Sequence, residues 1–218
     1  MRFETAPPAD LAILSRDERQ RALGFRFEAD RSRFAQSRLF VRYVLCGYLD
    51  LDPREVRFIA GPQGKPALAA GNPVSLAFNL SHCRSRAILA VAATGRIGID
   101  AEDPTSFDDL EQLIHSAFAP DQAAAILALP DHDILPSFLR GWTRKEAVLK
   151  AIGTGFGIEP RTVRVPFSAD GLWRIHVPGD PAILDLIDIS HAGVVAALAT
   201  DSPPAMLRFR EFDLDAQP

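Results

Sequence analysis

Apolar and polar positions alternate through Val74, Leu76, Phe78 and Leu80 against Ser75, Ala77, Asn79 and Ser81, the period-two pattern of a strand with one covered face. Elsewhere the apolar spacing becomes helical. A helix is predicted from about residue 31 to 49, with Phe40, Val41, Val44, Leu45 and Tyr48 on its apolar side, and another from about 136 to 152. Shorter helices are predicted at 110–118 and within 121–129, followed by a loop at Pro130. The runs 87–93, 97–102, 187–191 and 194–199 read as strands, and 207–212 as a last strand before a frayed end.

The pattern occurs twice. Leu51-Asp-Pro-Arg-Glu-Val-Arg-Phe58 returns as Ile158-Glu-Pro-Arg-Thr-Val-Arg-Val165. Each copy follows a long helix and precedes a strand ending in Ser-His, at His82 and at His191, and then an apolar strand. The order predicts an α+β fold of two similar halves, each an antiparallel sheet plus a helix, packed as an internal pseudo-dimer. The turn Thr94-Gly95-Arg96 places the boundary, giving halves 1–95 and 96–218. Near the place of Glu146 the first helix has Phe40, and near that of Lys150 it has Val44, so the halves differ in chemistry. The first helix instead carries Arg31, Arg38 and Arg42 on one side, a candidate anion clamp.

Composition narrows the classes. The 218 residues are 47% hydrophobic and 24% charged, with a net charge of −4. That balance gives no bulk attraction to nucleic acid or to an anionic membrane, so any phosphate site is local. Two cysteines cannot form a disulfide framework, and no apolar run approaches the roughly 20 residues that span a bilayer. The first residues lack the apolar core of a signal peptide, and a cytoplasmic setting is expected. A chain that already contains its own symmetry-related partner surface is expected to be a monomer.

The chemistry concentrates in two segments. Ile97-Gly-Ile-Asp-Ala-Glu102 ends a strand in two carboxylates, Asp100 and Glu102, at i and i+2 on one face. Trp142-Thr-Arg-Lys-Glu-Ala-Val-Leu-Lys150 puts Trp142, Glu146 and Lys150 on one face of a helix. Taken singly these are a polar turn and a surface ion pair. Together, three carboxylates and a lysine suit Mg2+, with Mn2+ as substitute, holding a phosphate ester. His82 and the turn lysine Lys65 are candidate anion contacts; Cys83 is expected to be packing, because neighbouring strand residues face opposite ways. The stretch Arg19, Arg21, Arg26, Arg31, Arg33, Arg38 and Arg42 is in part a solvated helix face.

Gly64-Lys-Pro66, Phe78-Asn-Leu-Ser-His82, Ile97-Gly-Ile-Asp-Ala-Glu102 and Trp142 to Lys150, in this order and spacing, resemble the 4'-phosphopantetheinyl transferases of the Sfp type, over nearly the whole chain. The resemblance implies Mg-dependent transfer of the phosphopantetheine arm of coenzyme A to a serine of an acyl or peptidyl carrier protein, releasing 3',5'-ADP. It implies that Asp100, Glu102 and Glu146 bind magnesium, that Glu146 is the general base and that Lys150 neutralises the pyrophosphate. It further implies that Arg21, Arg33, Lys65 and His82 hold the nucleotide end, with Pro66, Asn79 and Ser81 shaping that pocket. Where the family often has Phe-x-x-x-Glu, this chain has Phe118-Ala-Pro-Asp-Gln122, which bears on carrier contacts. Two other classes share the features: a Mg-dependent nucleotide or pyrophosphate hydrolase, and a non-catalytic module that binds a carrier protein.

Overall fold

Two helices of equal length organise the structure, a computed structural model that describes residues 1–3, 11–61, 64–105, 107–153, 157–168, 171–202, 206–214 and 216. In chain order the elements are α1 (Arg16–Leu23), α2 (Glu28–Leu49), β1 (Phe58–Ala60), β2 (Pro66–Leu68), β3 (Ala77–His82), β4 (Ala87–Ala92), β5 (Ile97–Glu102), α3 (Leu110–Ala117), α4 (Pro120–Leu127), α5 (Asp131–Ile152), β6 (Leu172–His176), β7 (Ile183–Asp188) and β8 (Val195–Thr200). All strand pairing is antiparallel: the hairpins β1–β2 and β3–β4, and a four-stranded sheet in the order β5-β8-β7-β6. The expected α+β class with antiparallel sheets holds.

α2 and α5 are each 22 residues long. α5 begins five residues before its predicted start, with Pro136 inside it. A proline this near an N-terminus removes a single hydrogen bond, and Asp131 and Asp133 favour the positive end of the helix dipole. Both helices stop at a left-handed residue, Asp50 (φ 53°) and Gly153 (φ 76°).

The same bonds tie each helix to the segment that follows it. Arg42 Nη1 donates to Pro53 O (2.8 Å) and Val56 O (3.1 Å). Lys145 Nζ donates to Pro160 O (3.1 Å) and Val163 O. Val56 and Val163 are both buried. With Arg42 matched to Lys145 and Asp50 to Gly153, Tyr43 stands at the place of Glu146 and Gly47 at that of Lys150. These replace Phe40 and Val44, because the connection after α5 is longer than the one after α2.

Two predicted strands change. The run at 187–191 is the end of β7, which starts at Ile183; Ser190 and His191 lie in the turn beyond it, with His191 exposed and its backbone paired to Val194. Residues 207–212 form no strand. That segment returns to the first half, where the Phe212 ring packs at a tilt against Phe40 with centroids 5.1 Å apart and Leu214 is buried with Ile13, Leu14, Ala35 and Leu39.

The halves meet along β5. Its odd residues Ile97 and Ile99 pack with Leu198 against Ala77, Ile88 and Ala90 of the β3–β4 hairpin. On the other face α5 lies across β5 and β8, burying Ala147, Val148 and Ala151 with Ala197 and Ala199. Gly95 turns the chain at φ 81° ahead of β5, and Arg96 clamps the turn by pairing with Asp180 (2.7 Å) and Asp201 (2.9 Å). Among the described residues no helix is long and apolar enough to cross a membrane.

Candidate active site

Gly98 allows the site to form. A methyl group there would overlap the Ala147 carbonyl oxygen and the Ala151 amide nitrogen and stand 2.9 Å from Ala151 Cα. Without it, α5 lies directly on β5, and side chains one helical turn apart reach down to the strand. Asp100 sits in that contact, only 5% exposed. Its Oδ1 lies 2.5 Å from Lys150 Nζ and accepts from Ser81 Oγ at 2.9 Å, while Lys150 Nζ also donates to Ser81 Oγ at 3.3 Å. Asp100 Oδ2 is buried and has no hydrogen-bond partner among the described residues.

Glu102 and Glu146 are half-buried. Both carboxyls are pushed above the ordinary glutamate range, first by burial and next by the negative charge of Asp100. The Trp142 indole donates to Glu102, and that bond partly restores its acidity. The structure thus brings Asp100, Glu102, Glu146 and Lys150 within electrostatic range of one another, as expected. Among the described residues no group of three or more His, Cys, Asp or Glu side chains is arranged to hold a metal ion unaided.

The first half closes the exposed edge of β5. Asn79 Oδ1 accepts the Ile99 amide at 2.8 Å, and both Asn79 and Ser81 are buried. They are joints of the seam, so any contribution to a ligand pocket runs through the strand they hold. His82 follows at the rim, its imidazole held below the usual range by burial, then by Lys150 and Arg33. Arg33 of α2 therefore lies within electrostatic range of His82. Arg21 of α1 lies over the ring of Phe34, the residue after Arg33, at 5.5 Å.

Lys65 stands apart from that group. Its ammonium donates to Lys150 O (2.6 Å) and Ile97 O (2.8 Å), near the start of β5, whereas His82 lies near its end. Burial lowers its pKa to about 8. Lys65 and Pro66 line a cavity of about 260 Å³ with Phe78, Ile97, Ala151 and Gly153. Arg38 and Arg42 do not form an anion clamp: both are engaged by Glu18, which sits between them at 2.7 Å from each. Arg31 pairs with Glu28.

Several supporting residues carried no sequence signal of their own. Asp103 accepts both the amide (3.0 Å) and hydroxyl (2.7 Å) of Ser85, which fixes the turn after His82 against the end of β5. Arg144, fully buried, pairs with Asp188 at 2.7 Å and stacks over Trp173. Their partners, Ser85 and Asp188, lie far away in the sequence, and local periodicity does not report such pairings. Gln122 is buried and donates to Val165 O, so it pins α4 rather than facing a partner; Asp121 beside it is exposed and pairs with Arg164. Cys83 is buried packing, its thiol pushed up by burial.

Comparison with known proteins decides the family. A model described as the 4'-phosphopantetheinyl transferase superfamily matches residues 96–199, and one described as 4'-phosphopantetheinyl transferase, N-terminal, matches residues 8–94. The chain belongs to the 4'-phosphopantetheinyl transferase superfamily. It is similar to the 4'-phosphopantetheinyl transferase HetI of Nostoc sp., 43% identical over 66% of this chain and 61% of that protein. It is also similar to a phosphopantetheinyl transferase of Thraustochytrium sp., 34% identical over 67% of this chain and 54% of the other. The human L-aminoadipate-semialdehyde dehydrogenase-phosphopantetheinyl transferase is 29% identical over 66% of this chain and 49% of its own length. The matched part thus spans about half to three-fifths of these relatives. Asp100, Glu102, Glu146 and Lys150 all fall within the superfamily model's range, and Lys65 and His82 within the N-terminal model's.

Proposed function

We propose that this protein transfers the 4'-phosphopantetheine arm of coenzyme A to a serine of an acyl or peptidyl carrier protein, giving holo-carrier and 3',5'-ADP. The observation that carries the reading is the buried Asp100, with one oxygen shared by Lys150 and Ser81 and the other unpartnered. A buried carboxylate with an orphaned oxygen is costly unless a ligand completes it. The donor set of Asp100, Glu102 and Glu146 is all hard oxygen and fits Mg2+, or Mn2+ in its place, which takes few protein carboxylates and completes its shell with water and substrate phosphate. When bound, the ion would neutralise charge on the pyrophosphate.

The chain's own residues supply the rest. Glu146, with its raised pKa, is suited to take the proton of the acceptor serine. The serine oxygen bonds to the phosphorus that carries the pantetheine, and the bond to the bridging oxygen breaks. The electron pair leaves on 3',5'-ADP. Lys150 places a positive charge where that oxygen becomes anionic. In this scheme residues 1–95 grip the ligand: His82 and Arg33 face the pyrophosphate, Arg21 flanks them, and the cavity beside Lys65 and Pro66 gives room for the nucleotide end. Residues 96–218 carry the chemistry. The protein works as a monomer in the cytoplasm.

Mass spectrometry of an apo-carrier incubated with enzyme, coenzyme A and Mg2+ tests the proposal. A gain of one phosphopantetheine is expected. No gain on any of several carriers would refute it, and 3',5'-ADP released without a gain would identify a hydrolase.

A further inference from the structure

The Asp100–Lys150 contact has a second meaning, which rests on the proposed metal-dependent reading. We infer that Lys150 is a resident counter-cation that occupies the carboxylate end of the site in the ligand-free protein, and that a divalent cation must displace it from Asp100.

The ammonium lies 2.5 Å from Asp100 Oδ1 and 3.3 Å from Ser81 Oγ, so it already balances the charge of the carboxylate that an incoming cation would use, and a cation on the free Oδ2 would stand against that ammonium. Ser81 donates to the same oxygen and keeps it facing Lys150. Oδ2 is left buried and unsatisfied. Glu102 and Glu146 stand near enough to feel Asp100, yet the acids do not form a ready-made cation cage among the described residues. A buried carboxylate cannot be left uncompensated at reasonable cost. Lys150 supplies that compensation until a pyrophosphate arrives, and the ammonium then has an anion of its own to move to. Cation and phosphate ligand consequently bind in concert, and the cation alone binds weakly.

Direct Mn2+ titration of the free protein, by calorimetry or by the electron paramagnetic resonance of free Mn2+, tests this without carrier or coenzyme. Lys150→Met removes the competing ammonium and is expected to bind Mn2+ about tenfold more tightly than the parent, a change of about 1.4 kcal/mol. Equal or weaker binding by the variant overturns the inference. A second measurement uses the unmodified protein: amine acetylation of Lys150, read by peptide mass spectrometry, should rise when Mn2+ is added alone. An unchanged rate at saturating Mn2+ overturns it as well. Loss of carrier modification, by contrast, bears on the proposed reaction and leaves these binding results to be read separately.

Discussion

Gly98 and Ala147 touch backbone to backbone, and this contact sets the depth of the site. Gly98→Ala would force α5 away from β5 and lift Glu146 and Lys150 off Asp100. Overpacking against main chain has no flexible side chain to yield, so the expected destabilisation is about 3 kcal/mol or more. Thermal unfolding checks this; a stable Gly98→Ala protein would show that the helix can shift at little cost.

The raised carboxyls of Glu102 and Glu146 set an acid limit on activity. Each stays protonated at a pH where a free glutamate is ionised, so the proposed metal ligand and the proposed base would be lost together as pH falls. The acid limb of kcat/KM should lie above the ordinary glutamate range. Trp142→Phe removes the donor that favours ionised Glu102 and should move the limb to still higher pH. Glu146→Gln should lower kcat by a factor of about 100 or more while coenzyme A still binds. Near-normal turnover would assign the base to another group.

Lys65 reaches across the seam from the first half to two carbonyls of the second, Ile97 O on β5 and Lys150 O on α5. Lys65→Ala should therefore weaken coenzyme A and its analogue lacking the 3'-phosphate alike, with a fall in unfolding temperature. A loss confined to coenzyme A would instead show that the ammonium leaves the carbonyls to hold the 3'-phosphate.

Lys145 gives a stability effect with a definite sign. Burial lowers its pKa to about 8 in the folded protein, against 10.5 for a free lysine. Between those values the unfolded chain binds more protons, so this group's contribution raises stability as pH increases through that window. Lys145→Met should flatten the rise from pH 8 to 10. An unchanged slope, measured by denaturant unfolding, would assign the effect to other groups.

Much of this was readable in the chain because it lies in periodicity. The alternation around Phe78, the helical spacing before Lys150 and the repeated Pro-Arg-x-Val-Arg segment gave the elements and the acid–lysine pairing. Longer-range features were hidden. Nothing local distinguishes Arg38 and Arg42, which close on Glu18, from Arg33, which lies within electrostatic range of His82. Each sits on the same helix and differs only in which neighbour arrives. Likewise 207–212 alternates as a strand does, but no free sheet edge receives it, and Phe212 and Leu214 settle on α2 instead.

The matching of Arg42 with Lys145 has a consequence for turnover. Because Gly47 and Tyr43 occupy the places of Lys150 and Glu146, α2 carries neither the ammonium nor the carboxylate. Two identical subunits related by a twofold axis would present two equivalent reaction centres and could influence each other's occupancy. Under the proposed reading, a chain with one furnished seam would offer one reaction centre and no second, equivalent centre of its own. Its other helix, α2, carries no counterpart of that pair, so apart from Arg33 and the buried positions that hold the fold it can change without touching the acid–lysine chemistry.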